Sequence, residues 1–302
     1  MSDVGALASL KWVEFRNRAG LFAQQSRFKI AVVAVFSVAF WFTLFQLFYS
    51  GMSFLQKTAL QFSFSNLIGA MFYVFFFALT VMLTFSNAII GYSSYFKSKE
   101  TGFLLAGPVR AESVFLYKFV ESLGFSSWAF LFLGTPLMAA YGRIFDVAWY
   151  FYPGSMAFLA TFMFIPAGLG AIVAMIVTVY MPRTRRGLVV GAAFAALLVI
   201  LIAVSRLMIS HGTQSVDLKL VTEVLDSTRF SRNPLLPSYW LSKGILELAD
   251  RRYQNSFFFH GLIVANVFFL VCVAHTMSAS LMLRGWHVSQ GLRSQRKYAA
   301  HG

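Results

Sequence analysis

Charge is scarce in this sequence. Asp, Glu, Lys and Arg make up only 12% of the 302 residues, about half the ~25% of a soluble domain. A chain so short of charge cannot present a polar surface on every side, which excludes an ordinary soluble domain and requires lipid over much of the fold. Acidic residues are the scarcer sign, 11 against 25 basic ones. Cysteine occurs once, as Cys272 inside an apolar run, so no internal disulfide and no cysteine metal cluster can form. No G-x-x-x-x-G-K-[ST] occurs, so nucleotide is not bound by a P-loop, and H-E-x-x-H and G-x-S-x-G are missing as well. No catalytic residue and no metal site is expected. No repeat of 20–50 residues and no low-complexity linker breaks the chain, which reads as one domain over 1–302.

What the sequence has is apolar length. Hydrophobic residues reach 58% and phenylalanine alone occurs 35 times. A membrane-spanning helix needs roughly 20 mostly apolar residues, and six runs qualify: about 29–50, 65–92, 113–140, 156–181, 187–209 and 256–283. The fold class is therefore all-α, a polytopic bundle of six transmembrane helices with both termini on one side. Basic residues accumulate in the cytoplasm. Placing the termini there gives the cytoplasmic segments 16 of the 25 basic residues and leaves the two short outer loops one each, Lys57 and Arg143. The net charge of +14 is thus read as membrane topology, with no nucleic-acid partner. The location implied is the inner, cytoplasmic membrane, multi-pass. The first 28 residues lack a continuous apolar core and a small-residue cleavage site, so the first span is expected to insert uncleaved. They fit an interfacial helix or an extension of the first span equally well. The segment 210–255 is too long for a bare turn. Its Leu218–Leu225 stretch reads as helical, and Tyr239–Ala249 as an amphipathic helix that Ser238 can cap. A small extracytoplasmic helical lid, partly dipping into the outer leaflet, is expected there.

The loop 93–112, cytoplasmic in this topology, holds SKETGFLLAGPVR. Ser98 can cap a helix, Glu100 suits its first turn, and Gly107-Pro108 stops it, predicting a helix over about 99–106 with Phe103, Leu104 and Leu105 available for contact. Two turns have no stability of their own in water, so this helix must dock on headgroups, on the bundle or on another protein. Lys118 and Glu121, at i,i+3, can pair at the inner end of the third span.

These residues resemble the first cytoplasmic loop of type-2 ABC exporter permeases. In that family a Glu-Xaa-Gly-Xaa-Leu-Leu run leads to a small-residue-Pro-Xaa-Arg break and then a Lys. Here they are Glu100, Gly102, Leu104, Leu105, the break at Gly107, Pro108 and Arg110, and Lys118. PLMAAYG (136–142), WYFYP (149–153), IPAGLGA (165–171), PRTRR (182–186) and NPLLPSYW (233–240) follow in the family's order. The resemblance implies that the 99–106 helix is a coupling helix seated in a separate ATPase subunit, with Lys99, Glu100, Thr101, Gly102, Phe103, Leu104 and Leu105 as contacts. It implies a permease subunit of an ATP-driven exporter, with ATP and Mg bound by the partner and no cofactor in this chain. Many relatives are about twice as long, and this chain is similar to a first six-span half. A homodimer or a separately encoded second permease half is then expected.

Within the spans, Gly187, Gly191 and Ala195 form a small-residue face for helix packing or dimerisation, and Ala167, Gly168, Gly170, Ala171 and Ala174 form another. Pro166 is expected to kink the fourth span. His260 and His275 read as hydrogen-bonded packing residues, and FYVFFFA (72–78) as lipid-facing before cargo-facing. Two other classes stay open: an ATP-independent secondary transporter or channel, and a membrane scaffold subunit without transport activity.

Overall fold

The structure, a computed structural model, describes residues 27–58, 64–181 and 229–299. The helices are α1 (Arg27–Thr58), α2 (Phe64–Tyr92), α3 (Lys99–Ala106), α4 (Ala111–Ile144), α5 (Phe151–Phe162), α6 (Phe164–Tyr180), α7 (Pro237–Ala249) and α8 (Tyr253–Ala299). A π-helical turn, Ser93–Lys97, joins α2 to α3, and a 3₁₀ turn, Arg229–Arg232, precedes α7. No strand occurs among the described residues.

Five stretches are long and apolar enough to cross a membrane: Phe28–Gln56, Ile68–Lys97, Ala111–Ile144, Phe151–Tyr180 and Tyr253–Ser289. They correspond to five of the six runs expected. The remaining run, 187–209, lies outside the described residues, as do Gly187, Gly191 and Ala195, the 1–26 segment and Leu218–Leu225.

Two apolar cores lie one above the other along the bundle. The first gathers Phe72, Phe76, Phe130, Tyr141, Phe151, Phe158 and Phe162 with Leu241, Ile245 and Leu248 of α7. The second gathers Tyr95, Phe96, Phe115, Phe119, Ala171, Ala174, Met175, Leu281 and Met282. Phe72 and Phe76 are fully buried, which corrects the lipid-facing expectation for FYVFFFA: on a helix with neighbours on several sides, two of its rings point inward. The small residues of α6 pack within the bundle. A methyl group on Gly170 would stand 2.6 Å from Asn87 Cβ and 2.8 Å from Thr84 O, so α2 and α6 approach backbone to backbone. There Ser126 donates to Asn87 Oδ1 at 2.6 Å, and Asn87 Nδ2 to Leu83 O at 2.9 Å. α1, by contrast, leans mainly on α4 through Trp41 Nε1–Thr135 Oγ1 at 3.0 Å and a Phe40–Phe132 stack, touches α2 through an edge-on Phe48–Phe75 pair at 5.4 Å, and leaves most of its surface facing outward.

The fourth span breaks at Met163, between α5 and α6, three residues before Pro166. Proline has no N–H for the carbonyl one turn back and crowds it, so the disruption falls N-terminal to the ring. α7 begins differently from the sequence reading. Leu236 is its N-cap and Pro237 its first residue, the position where a missing N–H does no harm. Ser238 lies inside the first turn, where its carbonyl accepts from Ser242 Oγ at 2.9 Å. α7 is sunk into the bundle: Ser242 Oγ also reaches Phe72 O at 3.2 Å, and Gly244 lies against the Phe158 ring. Of the two histidines, His260 stands edge-on to Phe158 at 4.6 Å with its buried Nδ1 unpartnered among the described residues. His275 is exposed on α8. Neither is the hydrogen-bonded packing residue expected.

Candidate functional site

The loop that the sequence singles out folds as the short helix expected, Lys99–Ala106. Ser98 occupies the N-cap position with extended backbone, φ −68° and ψ 132°, but its hydroxyl makes no cap bond. Instead Thr101, fully buried, donates from Oγ1 to Ser94 O at 2.8 Å, tying the first turn of α3 to the π turn. The helix ends at Gly107, whose N–H returns to Leu104 O at 3.3 Å. Gly107 has φ −86° and ψ 177°, the extended conformation a residue before proline adopts. Arg110 then caps α4, its carbonyl accepting from Ser113 N at 3.0 Å and Val114 N at 3.2 Å.

An isolated helix of this length is unstable, since roughly 12–15 residues are marginal even for good sequences. Two clamps hold it. The first is ionic. Lys118 of α4 is only 2% exposed, and its Nζ lies 2.6 Å from Glu100 Oε2 and 2.7 Å from Glu121 Oε2. Tyr117 donates to the other Glu100 oxygen at 2.8 Å. The expected Lys118–Glu121 pair is therefore present, and Glu100 joins it from across the loop. A buried ammonium needs such partners, because removing one strands a desolvated charge.

The second clamp is steric. A methyl group on Gly102 would stand 2.7 Å from Trp286 Cζ2, and one on Gly285 would stand 2.6 Å from Phe96 Cε1. Ser289 Oγ donates to Phe96 O at 3.2 Å. The far part of α8 is thus pressed against both the π turn and α3, with glycine on each side of the contact. Trp286, Gly285, Ser289 and Phe96 were not singled out by sequence reasoning. Two glycines at positions with no turn to make were the available signal.

These clamps decide which candidate contacts face outward. Leu104 and Leu105 are half-buried against the second core, so they are less available than the sequence reading made them. Phe103 is 80% exposed. Lys99, Ala106, Gly107, Pro108 and Arg110 are exposed beside it. The site is an exposed phenylalanine on a helix anchored from behind, with exposed cations before and after it in the chain, Lys99 and Arg110.

A family model described as "Putative ATP-binding cassette" matches residues 22–301. The chain belongs to this family. No curated protein and no solved structure matches it. Among its described residues the chain is helical, with no strand, and carries several long apolar helices compatible with a multi-pass membrane protein.

Proposed function

We propose that this chain is the membrane-spanning permease subunit of an ATP-driven exporter in the cytoplasmic membrane. ATP and Mg bind to a separate ATPase subunit, which grips α3 through Phe103 and its flanking cations. The family description speaks of an ATP-binding cassette. A P-loop, however, needs a strand, a glycine-rich loop with G-x-x-x-x-G-K-[ST] and a helix, and the sequence holds no such motif. The permease role is the part of a cassette transporter that this composition suits.

The observation that carries the reading is the anchored helix with its outward phenylalanine, 80% exposed. A lever needs a free tip and a fixed shaft. The tip is Phe103, and the shaft is fixed to α4 by Glu100–Lys118 and to α8 by Gly102–Trp286. A push on α3 would reach α4, α2 and α8 through these contacts without crossing a flexible joint. ATP binding and hydrolysis in the partner would then shift the population between two arrangements of the spans by differential affinity. A second permease half, identical or separately encoded, would complete the translocation path. The described helices bring the chain to Val179 against the second core and resume with α7 in the first. The apolar run 187–209 read from the sequence is long enough for the return.

Replacing Phe103 by Asp tests the proposal. The variant should fold with an unchanged melting midpoint, since the ring touches little, yet lose co-purification of the ATPase and ATP-dependent transport in proteoliposomes. Loss of an aromatic anchor of this kind weakens binding by ~2 kcal/mol or more, about thirtyfold. Undiminished transport by F103D, or full activity of the chain purified with no ATPase, would favour an ATP-independent carrier instead.

A further inference from the structure

A cavity of about 490 Å³ opens beside the Glu100–Lys118–Glu121 cluster, within the size range of small-molecule sites. Its walls differ in character. Ile89 and Ile90 of α2 and Phe125 of α4 supply its apolar lining. Ile89 is 52% and Phe125 64% exposed, so this wall continues onto the membrane-facing surface of the two spans. The rest of the lining is polar and carries Lys97, Lys118, Glu100 and Glu121. Serine hydroxyls complete it, among them Ser93 and Ser98. The cavity therefore joins hydrocarbon to a charged niche at the end of the bundle where α3 sits.

The charges lining the cavity sum to zero but are unevenly placed: the Glu100–Lys118–Glu121 cluster keeps one net negative charge, and Lys97 stands apart from it as a cation. Lys97 lies 4.9 Å from the centroid of the Tyr92 ring, while Lys118 is fixed between the acids. A net anionic headgroup would set its charge against both carboxylates. A quaternary ammonium would offer them no hydrogen. A headgroup with a phosphate diester and a primary ammonium suits both signs. The phosphate accepts from Lys97 and serine hydroxyls, the ammonium donates to a carboxylate of the net-negative cluster, and each contact is charge-assisted.

We propose that this cavity binds a zwitterionic glycerophospholipid carrying a primary amine, with its acyl chains along Ile89, Ile90 and Phe125. The site concerns lipid recognition by this chain alone and stands whether or not the chain is a permease subunit.

The test uses the full-length chain in detergent, stripped of lipid and offered phosphatidylethanolamine, its mono- and dimethylated forms, phosphatidylcholine and phosphatidylglycerol. Retention is read by native mass spectrometry. The ethanolamine lipid should be retained about tenfold more strongly than phosphatidylcholine or phosphatidylglycerol, the scale of one charge-assisted hydrogen bond. Retention should fall stepwise along the methylation series. Ser93→Phe should block the cavity while leaving both ion pairs and the melting midpoint intact, and should abolish the preference. A flat methylation series, a preference for phosphatidylglycerol, or equal retention by the folded S93F variant would overturn the proposal.

Discussion

A methyl group at Gly102 would stand 2.7 Å from Cζ2 and 2.9 Å from Cη2 of Trp286, closer than carbon atoms tolerate. The indole is held inside a packed junction, so it cannot swing away freely. Gly102→Ala is expected to lower stability by ~1–3 kcal/mol, the usual range for overpacking, despite alanine's better helix propensity. Trp286→Leu should relieve that clash, so the double variant should recover part of the loss. A double-mutant cycle on melting midpoints reads the coupling, and additive effects would mean that the two residues do not meet. Gly102 was legible in the sequence as a member of a loop motif, but its partner 184 positions along the chain was not. Local pattern reports periodicity and breaks, whereas the closeness of α3 and α8 is a product of the whole bundle. The burial of Lys118 was hidden for the same reason. A lysine at a span end reads as a snorkelling charge, and only the arrival of Glu100 across the loop makes it a buried ion pair.

At the scale of the element, apolar length and punctuation carried most of the information. The five described spans and α3 follow from long hydrophobic runs and from Ser98, Glu100 and Gly107-Pro108. The breaks inside spans were less visible. Nothing in SSYFK announces a π turn, and Pro166 signals a disruption without giving its position at Met163. α7 was legible as an amphipathic helix, but nothing in its pattern marks its acid as buried. Glu247 is 3% exposed and joins α7 to the start of α8. Lys243 Nζ lies 2.8 Å from Oε1, and Asn255 Nδ2 donates to Oε2 at 3.1 Å. Burial alone would raise the carboxyl's pKa. The hydrogen bonds from Lys243 and Asn255, with the charges of Lys243 and Arg252, outweigh it and hold the pKa below the ordinary 4.5. The folded value lies below the unfolded one, so this stabilisation is complete above about 4.5 and is lost as pH falls through the folded value. The melting midpoint of the purified chain should drop as pH is lowered below about 4.5. Glu247→Gln should start lower at pH 7, by ~1–3 kcal/mol for a weakened charge-assisted bond, and show a flatter acid limb. Equal acid limbs for the two proteins would remove Glu247 from the account.

At the scale of the whole molecule, the question is which side of the membrane α3 occupies. α4 begins at Ala111 beside α3 and ends at Ile144, which packs in the same core as Leu248 and Ala249 of α7. Its 34 residues span roughly 50 Å at 1.5 Å per residue, more than the ~30 Å hydrocarbon thickness. α3 and the end of α7 therefore face opposite sides of any membrane that the bundle crosses. The excess of basic residues around α3 leads to the expectation that this side is cytoplasmic. The sole cysteine, Cys272, lies exposed on the fifth described span, so Cys272→Ser provides a background without thiols. Ala106→Cys and Asp250→Cys then report on the two ends from exposed positions. A membrane-impermeant maleimide added to intact cells should label the Asp250→Cys protein at once. It should label the Ala106→Cys protein only after the membrane is opened. Labelling in the reverse order would invert the topology and leave Phe103 outside, out of reach of any cytoplasmic ATPase. Labelling of both positions from outside would mean that α4 does not span the bilayer at all.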